Sequence, residues 1–131
     1  MGYIEKIIYS IAKEVDFIPG GRYSNQYINP ISHILEKEGF YVIPEYEFRV
    51  GDQLKRIDIF AKKRGAIICI EIDKKTVRWN SINKMEYMEN AIPVFMLTYE
   101  GNPNIRESVR RIRFRPFYLI DLYNHKYNYY S

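Results

Sequence analysis

Two short runs constrain this chain more than any other feature. Arg56-Ile57-Asp58-Ile59-Phe60 and Ile67-Ile68-Cys69-Ile70-Glu71-Ile72-Asp73-Lys74-Lys75 set three carboxylates among β-branched apolar residues, and Lys62-Lys63-Arg64-Gly65 lies between them. Short Ile-rich runs read as strands. The link reads as a hairpin turn, with Gly65 free to take a positive φ. A turn centred on Arg64-Gly65 places Asp58 directly opposite Glu71, with Cβ atoms roughly 5 Å apart. Alternation along a strand then puts Arg56, Asp58 and Phe60 on one face with Cys69, Glu71 and Asp73. Ile57, Ile59 and Ala61 share the other face with Ile68, Ile70 and Ile72. The second set predicts a core, and the first predicts a face that carries the acids. Buried carboxylates are costly unless paired, and like charges directly opposed destabilise a sheet. A shared cation relieves both, so three converging acids point to a metal site. The plainer alternative is the solvent face of an amphipathic hairpin, with Lys74 and Lys75 as counter-charges.

A chain of 131 residues supports one hydrophobic core, and 47% apolar content argues for a globular fold. No apolar run is long enough for a membrane span. Met1-Gly2-Tyr3-Ile4-Glu5-Lys6 lacks the basic-then-apolar order of a secretion signal. The lone Cys69 reads as a packing residue. With His33 and His125 far apart, a Cys/His zinc site is excluded. These features predict an intracellular, cytoplasmic protein without a membrane partner or a small-molecule cofactor. A net charge of +4 and a pI near 9.1 permit nucleic-acid binding.

Helical spacing of Ile4, Ile7, Ile8, Ile11 and Val15 predicts a helix over 4–17, ended by Pro19-Gly20-Gly21. Arg22-Tyr23-Ser24-Asn25-Gln26 is a polar connection. A second helix is expected over 27–38, capped by Asn29 or Ser24, with Pro30 in its first turn and Gly39 at its stop. Strands are expected over 40–50, 54–63 and 66–74. A helix over 81–90, capped by Asn80 or Ser81, leads to a buried, parallel strand over 92–99. A basic helix over 104–113 precedes a last strand over 117–123. The tail from His125 reads as frayed or as a docking arm, its tyrosines packing, pairing with a second copy or stacking on nucleic acid. The order is α-α-β-β-β-α-β-α-β in one unit spanning 1–131. Its core is about 24–99, its N-terminal helix 4–17, its basic helix and C-terminal strand 104–123, and its tail 124–131.

The acidic hairpin, this strand order and the following helix resemble the PD-(D/E)XK nuclease superfamily, over about Ser24 to Tyr99. The layout is similar to small archaeal Holliday junction resolvases and to viral and restriction-type nucleases. The resemblance implies an α/β, restriction-endonuclease-like fold: a mixed sheet with an antiparallel three-strand meander plus a βαβ crossover, flanked by helices. It implies a Mg²⁺- or Mn²⁺-dependent endonuclease acting on DNA, possible as a homodimer, in the cytoplasm or, for a viral chain, in host cytoplasm or virion. Asp58 matches the family's metal-binding Asp and Glu71 its third-strand acid. The carbonyl of Ile72 and Asp73 complete the implied ligand set. Asp73 stands where the family carries its lysine, so the assisting lysine is either Lys75, on the Asp73 face, or Lys84, from the third helix. The family's helix-borne polar residue matches Glu36 or Gln26. An inactive nuclease-fold protein that binds nucleic acid or serves in an assembly or virion is the alternative that Asp73 raises.

Within that frame Arg78 is a candidate for the scissile phosphate. Trp79 either stacks on a base or covers the core, and burial is the expectation. Arg106, Arg110 and Arg113, at three- and four-residue spacing, predict phosphate contacts along one helix side, or a solvated face paired with Glu107.

Overall fold

The computed structural model describes residues 2–21 and 24–131; Met1, Arg22 and Tyr23 of the readings above lie outside the described residues. The elements are α1 (Tyr3–Glu14), α2 (Asn25–Lys37), β1 (Tyr41–Val50), β2 (Gln53–Lys63), β3 (Ala66–Asp73), α3 (Trp79–Glu86), β4 (Ala91–Leu97), α4 (Ile105–Arg111), β5 (Phe117–Asp121) and β6 (Lys126–Tyr130). The six strands form one sheet in sequence order. β1, β2 and β3 pair antiparallel, β3, β4 and β5 parallel, and β5 and β6 antiparallel. Each parallel step needs a crossover, and α3 and α4 supply the two. The architecture is therefore α/β with a mixed sheet, as the meander and crossover pattern predicts. No helix among the described residues is long and apolar enough to cross a membrane.

The hairpin forms in the expected register, pairing Ile59 with Ile70, Phe60 with Cys69 and Lys63 with Ala66. Arg64 and Gly65 take φ of 46° and 86°, the left-handed pair that a two-residue hairpin turn requires.

The expectation of one core face and one carboxylate face does not hold, because helices cover both sides of the sheet. α1 and α2 pack on Ile59, Ala61, Ile68, Ile70 and Val94. Ile82 and Met85 of α3, with Ile112 after α4, pack on Cys69, Phe95, Leu97 and Leu119. β3 is buried from Ile68 to Asp73, as a central strand between two helical layers must be. Ile57 joins the α3 side with Phe60, while Ile59 and Ala61 stay on the α1–α2 side. The alternation expected for Ile57, Ile59 and Ala61 is therefore broken at Asp58.

The tail, read as frayed or as a docking arm, forms β6. Tyr130 stacks on Phe117 at 4.9 Å and Tyr129 lies 4.7 Å from Tyr118. Tyr127 and Tyr130 of this edge strand pack on the two opposite cores while Lys126, Asn128 and Tyr129 stay exposed, so its sequence lacks a continuous apolar run, and aromatic pairing orders it. α2 starts two residues earlier than expected, which puts Pro30 inside the helix. Ser24 holds the N-cap position without a side-chain hydrogen bond. α3 likewise begins at Trp79, behind Arg78.

Candidate active site

The site lies where β2 and β3 part. Their ladder ends at Ile59 and Ile70, and side chains then take over from the backbone. The Asp58 N–H donates to Glu71 Oε2 at 3.0 Å. The Ile72 N–H donates to Asp58 Oδ2 at 2.8 Å. The β1–β2 ladder is interrupted at the same level: Pro44 pairs with Ile59 and Tyr46 with Ile57. Between them Glu45 has a φ of 50°, an uncommon conformation for a residue with a side chain. Asp58 thus stands at a break in both of its ladders, and the broken alternation turns its carboxylate toward β3. The opposed pair read from the turn is present, held by two backbone N–H groups.

Glu71 is 1% exposed. Burial first, and then the Asp58 charge, push its carboxyl up to about 8 against the opposing pull of Lys84. Lys84 reaches in from α3, its Nζ 2.5 Å from Glu71 Oε1, and donates to the Arg56 carbonyl at 2.7 Å. The Lys84 ammonium is thus the partner of Oε1, and Oε2 is taken by the Asp58 N–H. Burial, with Glu71 beside it, raises the Cys69 thiol to about 12, which keeps it protonated.

Asp73 does not join the pair. Its Oδ1 accepts from Arg78 Nε at 2.6 Å and its Oδ2 from the Arg78 N–H at 3.1 Å. That bond and the Asp73 charge hold the Arg78 guanidinium more firmly protonated. Among the described residues no three His, Cys, Asp or Glu side chains come together to hold a metal ion. The expected three-acid convergence is thereby corrected to two acids and a third committed to an arginine. Lys75 is also elsewhere: β3 ends at Asp73, the chain bends, and Lys75 Nζ lies 5.1 Å from the Tyr99 ring centroid. Strand alternation cannot carry Lys75 to the Asp73 face once the strand has ended.

Glu36 is exposed near the end of α2, and Gln26 lies in the first turn, its amide oxygen close to Gly21. Neither is among the hydrogen-bond partners of Asp58 or Glu71 given above. A cleft of about 410 Å³ opens at the end of β3, lined by Asn25, Glu45, Ile72, Asp73, Lys74 and Arg78 among others; Asp58 and Glu71 are not in its lining.

The basic helix is shorter than expected. α4 ends at Arg111, so Arg113 lies beyond it and does not extend a face with Arg106 and Arg110. Arg106 is exposed. Arg110 forks onto Glu107 at 2.8 and 2.6 Å, and with Arg111 holds the Glu107 carboxyl down to about 2. Arg111 belongs to the same basic run but was not among the predicted phosphate contacts. It donates to Glu107 at 2.9 Å and to the Val77 carbonyl at 3.0 Å, and its guanidinium lies 5.1 Å from the Trp79 ring centroid. Its spacing from Glu107 was a readable signal; its reach to residues 77 and 79 was not. Trp79, expected to be buried, is 49% exposed.

Mg²⁺ is commonly held by one or two carboxylates, with water and substrate phosphate completing its shell. Asp58 and Glu71 supply that number of hard oxygen donors, with Lys84 already against Glu71 Oε1. The residues fit such an ion and do not form a closed protein cage.

No family model and no curated protein matches the chain. Among solved structures it is similar to a crystal structure described as that of a protein of unknown function, AF1548, at 15% identity and a TM-score of 0.43. The match covers 57% of this chain and 47% of that one, so the chain spans about half the length of that protein.

Proposed function

We propose that this chain is a metal-dependent DNA endonuclease with a restriction-endonuclease-like core, hydrolysing phosphodiester bonds. The observation that carries the reading is the Asp58–Glu71 pair at the parting of β2 and β3, with Lys84 docked on Glu71. Asp58, Glu71 and the carbonyl of Ile72 would hold Mg²⁺ or Mn²⁺. Such an ion, when bound, lowers the pKa of water and offsets charge on a phosphoryl oxygen. Lys84, fixed by Glu71 and the Arg56 carbonyl, presents an ammonium that stabilises negative charge developing on the phosphate. Arg78 binds a phosphate at the cleft, and Asp73 positions it; a guanidinium anchored through Nε keeps its outer nitrogens for the ligand.

Incubation of supercoiled plasmid and branched DNA with Mg²⁺ or Mn²⁺ tests this. Asp58→Ala is expected to lower the cleavage rate about a hundred-fold or more, and Lys84→Ala by a comparable factor. A wild-type protein that cuts no DNA form and binds neither ion at millimolar concentration overturns the reading. The commitment of Asp73 to Arg78 favours a second reading, a non-catalytic nuclease fold that binds nucleic acid or serves in an assembly. Arg78→Ala would then weaken salt-sensitive DNA binding while Asp58→Ala changes nothing.

A further inference from the structure

We infer that Trp79 is a stacking platform for an unpaired DNA base next to the cleft that Arg78 lines, an inference that rests on the nuclease reading and narrows its substrate to DNA with unpaired nucleotides. Trp79 is the only tryptophan in the chain, and half of it faces solvent. A ring in that position contributes little to either core. It is nevertheless braced: the Arg111 guanidinium lies 5.1 Å from its centroid and is itself tied to Glu107 and to the Val77 carbonyl. The Arg111 side chain is 24% exposed, so the brace is largely withdrawn from solvent. An exposed aromatic ring held in this way is pre-organised for a flat ligand.

Its neighbours suit a nucleotide strand. Arg78, the preceding residue, lines the cleft with a side chain 64% exposed and anchored on buried Asp73. Arg78 sets a phosphate-binding group one residue before the ring, so a base on Trp79 would leave an adjoining phosphate within reach of Arg78 at the cleft. Every base offers a π face, so such a platform accepts any sequence; an intact duplex hides those faces within its own stack. Ends, loops and junction arms expose them.

The single tryptophan makes the test direct. Protein in EDTA is titrated with a short oligodeoxythymidylate and, separately, with a relaxed, covalently closed circular duplex, while intrinsic fluorescence is followed. Saturable quenching by the single strand, absent or much weaker with the duplex, is expected. By anisotropy of a labelled strand, Trp79→Ala should weaken single-strand binding about ten-fold or more, and Trp79→Phe should retain most of it. Equal affinity for both DNA forms, absence of quenching, or Trp79→Ala binding as tightly as wild type would each overturn the inference. Because these measurements need no cleavage, the two readings fail separately. A protein without cleavage that still stacks loses only the nuclease reading. A protein whose cleavage depends on Asp58 but whose binding ignores Trp79 loses only this one.

Discussion

Glu71 is the residue whose ionisation the fold opposes most clearly. Unfolded, it titrates near 4.5; folded, burial and Asp58 move it up to about 8. Between those values the unfolded chain has released this proton while the folded chain still holds it. Stability therefore falls as pH rises across the window and levels off above it. Glu71→Gln, neutral at every pH, removes that slope. The difference in Tm between the variant and wild type should shift in the variant's favour from pH 5 to pH 8, and a constant difference would contradict the assignment. At pH 8, millimolar Mn²⁺ should raise the wild-type Tm and leave Glu71→Gln unchanged. The Asp58–Glu71 pairing was legible because a two-residue turn sets the register of everything near it. The choice of Lys84 over Lys75 was not, since it depends on where α3 docks and where β3 stops. The Asp73–Arg78 bond was also hidden, because a loop contact over five residues follows no period.

At the scale of elements, the β2–β3 hairpin rests on a left-handed turn. A Cβ added at Gly65 would meet nothing within 4 Å, so the cost of Gly65→Ala is conformational alone. With φ at 86°, that cost is expected to be about 1 kcal/mol, measurable by urea denaturation. A larger loss would mean that the turn also sets the spacing of the two acids. The strand with almost continuous apolar content, β4, was readable as buried and parallel from composition, whereas the burial of both faces of β3 was not. β6 was not, because Lys126-Tyr127-Asn128-Tyr129-Tyr130 buries little of itself and owes its pairing to Phe117 and Tyr118. The end of α4 at Arg111 was equally invisible, since Arg113 continues the helical spacing without continuing the helix.

For the whole molecule, the decisive fact is a sheet covered on both faces. Strands β3, β4 and β5 lie between neighbours within the sheet and between helical layers across it, whereas β1 and β6 are its edges. Native-state hydrogen exchange should accordingly be slowest in β3–β5 and fastest in β1 and β6. Slow amides confined to the helices would argue against that core. The two-sided packing also explains the site: an acid facing solvent would titrate ordinarily, but Glu71 ends under α3 with a lysine for company. Turn chemistry and strand composition are properties of neighbours along the chain, so the hairpin, its register and the Asp58–Glu71 pair were determined before any packing. Which side of the sheet Ile57 faces, which lysine meets Glu71, and why Trp79 stays exposed over Arg111 are contacts between distant segments. Only the docking of α3 and α4 on the sheet decides them, because no local period reports where a helix will lie.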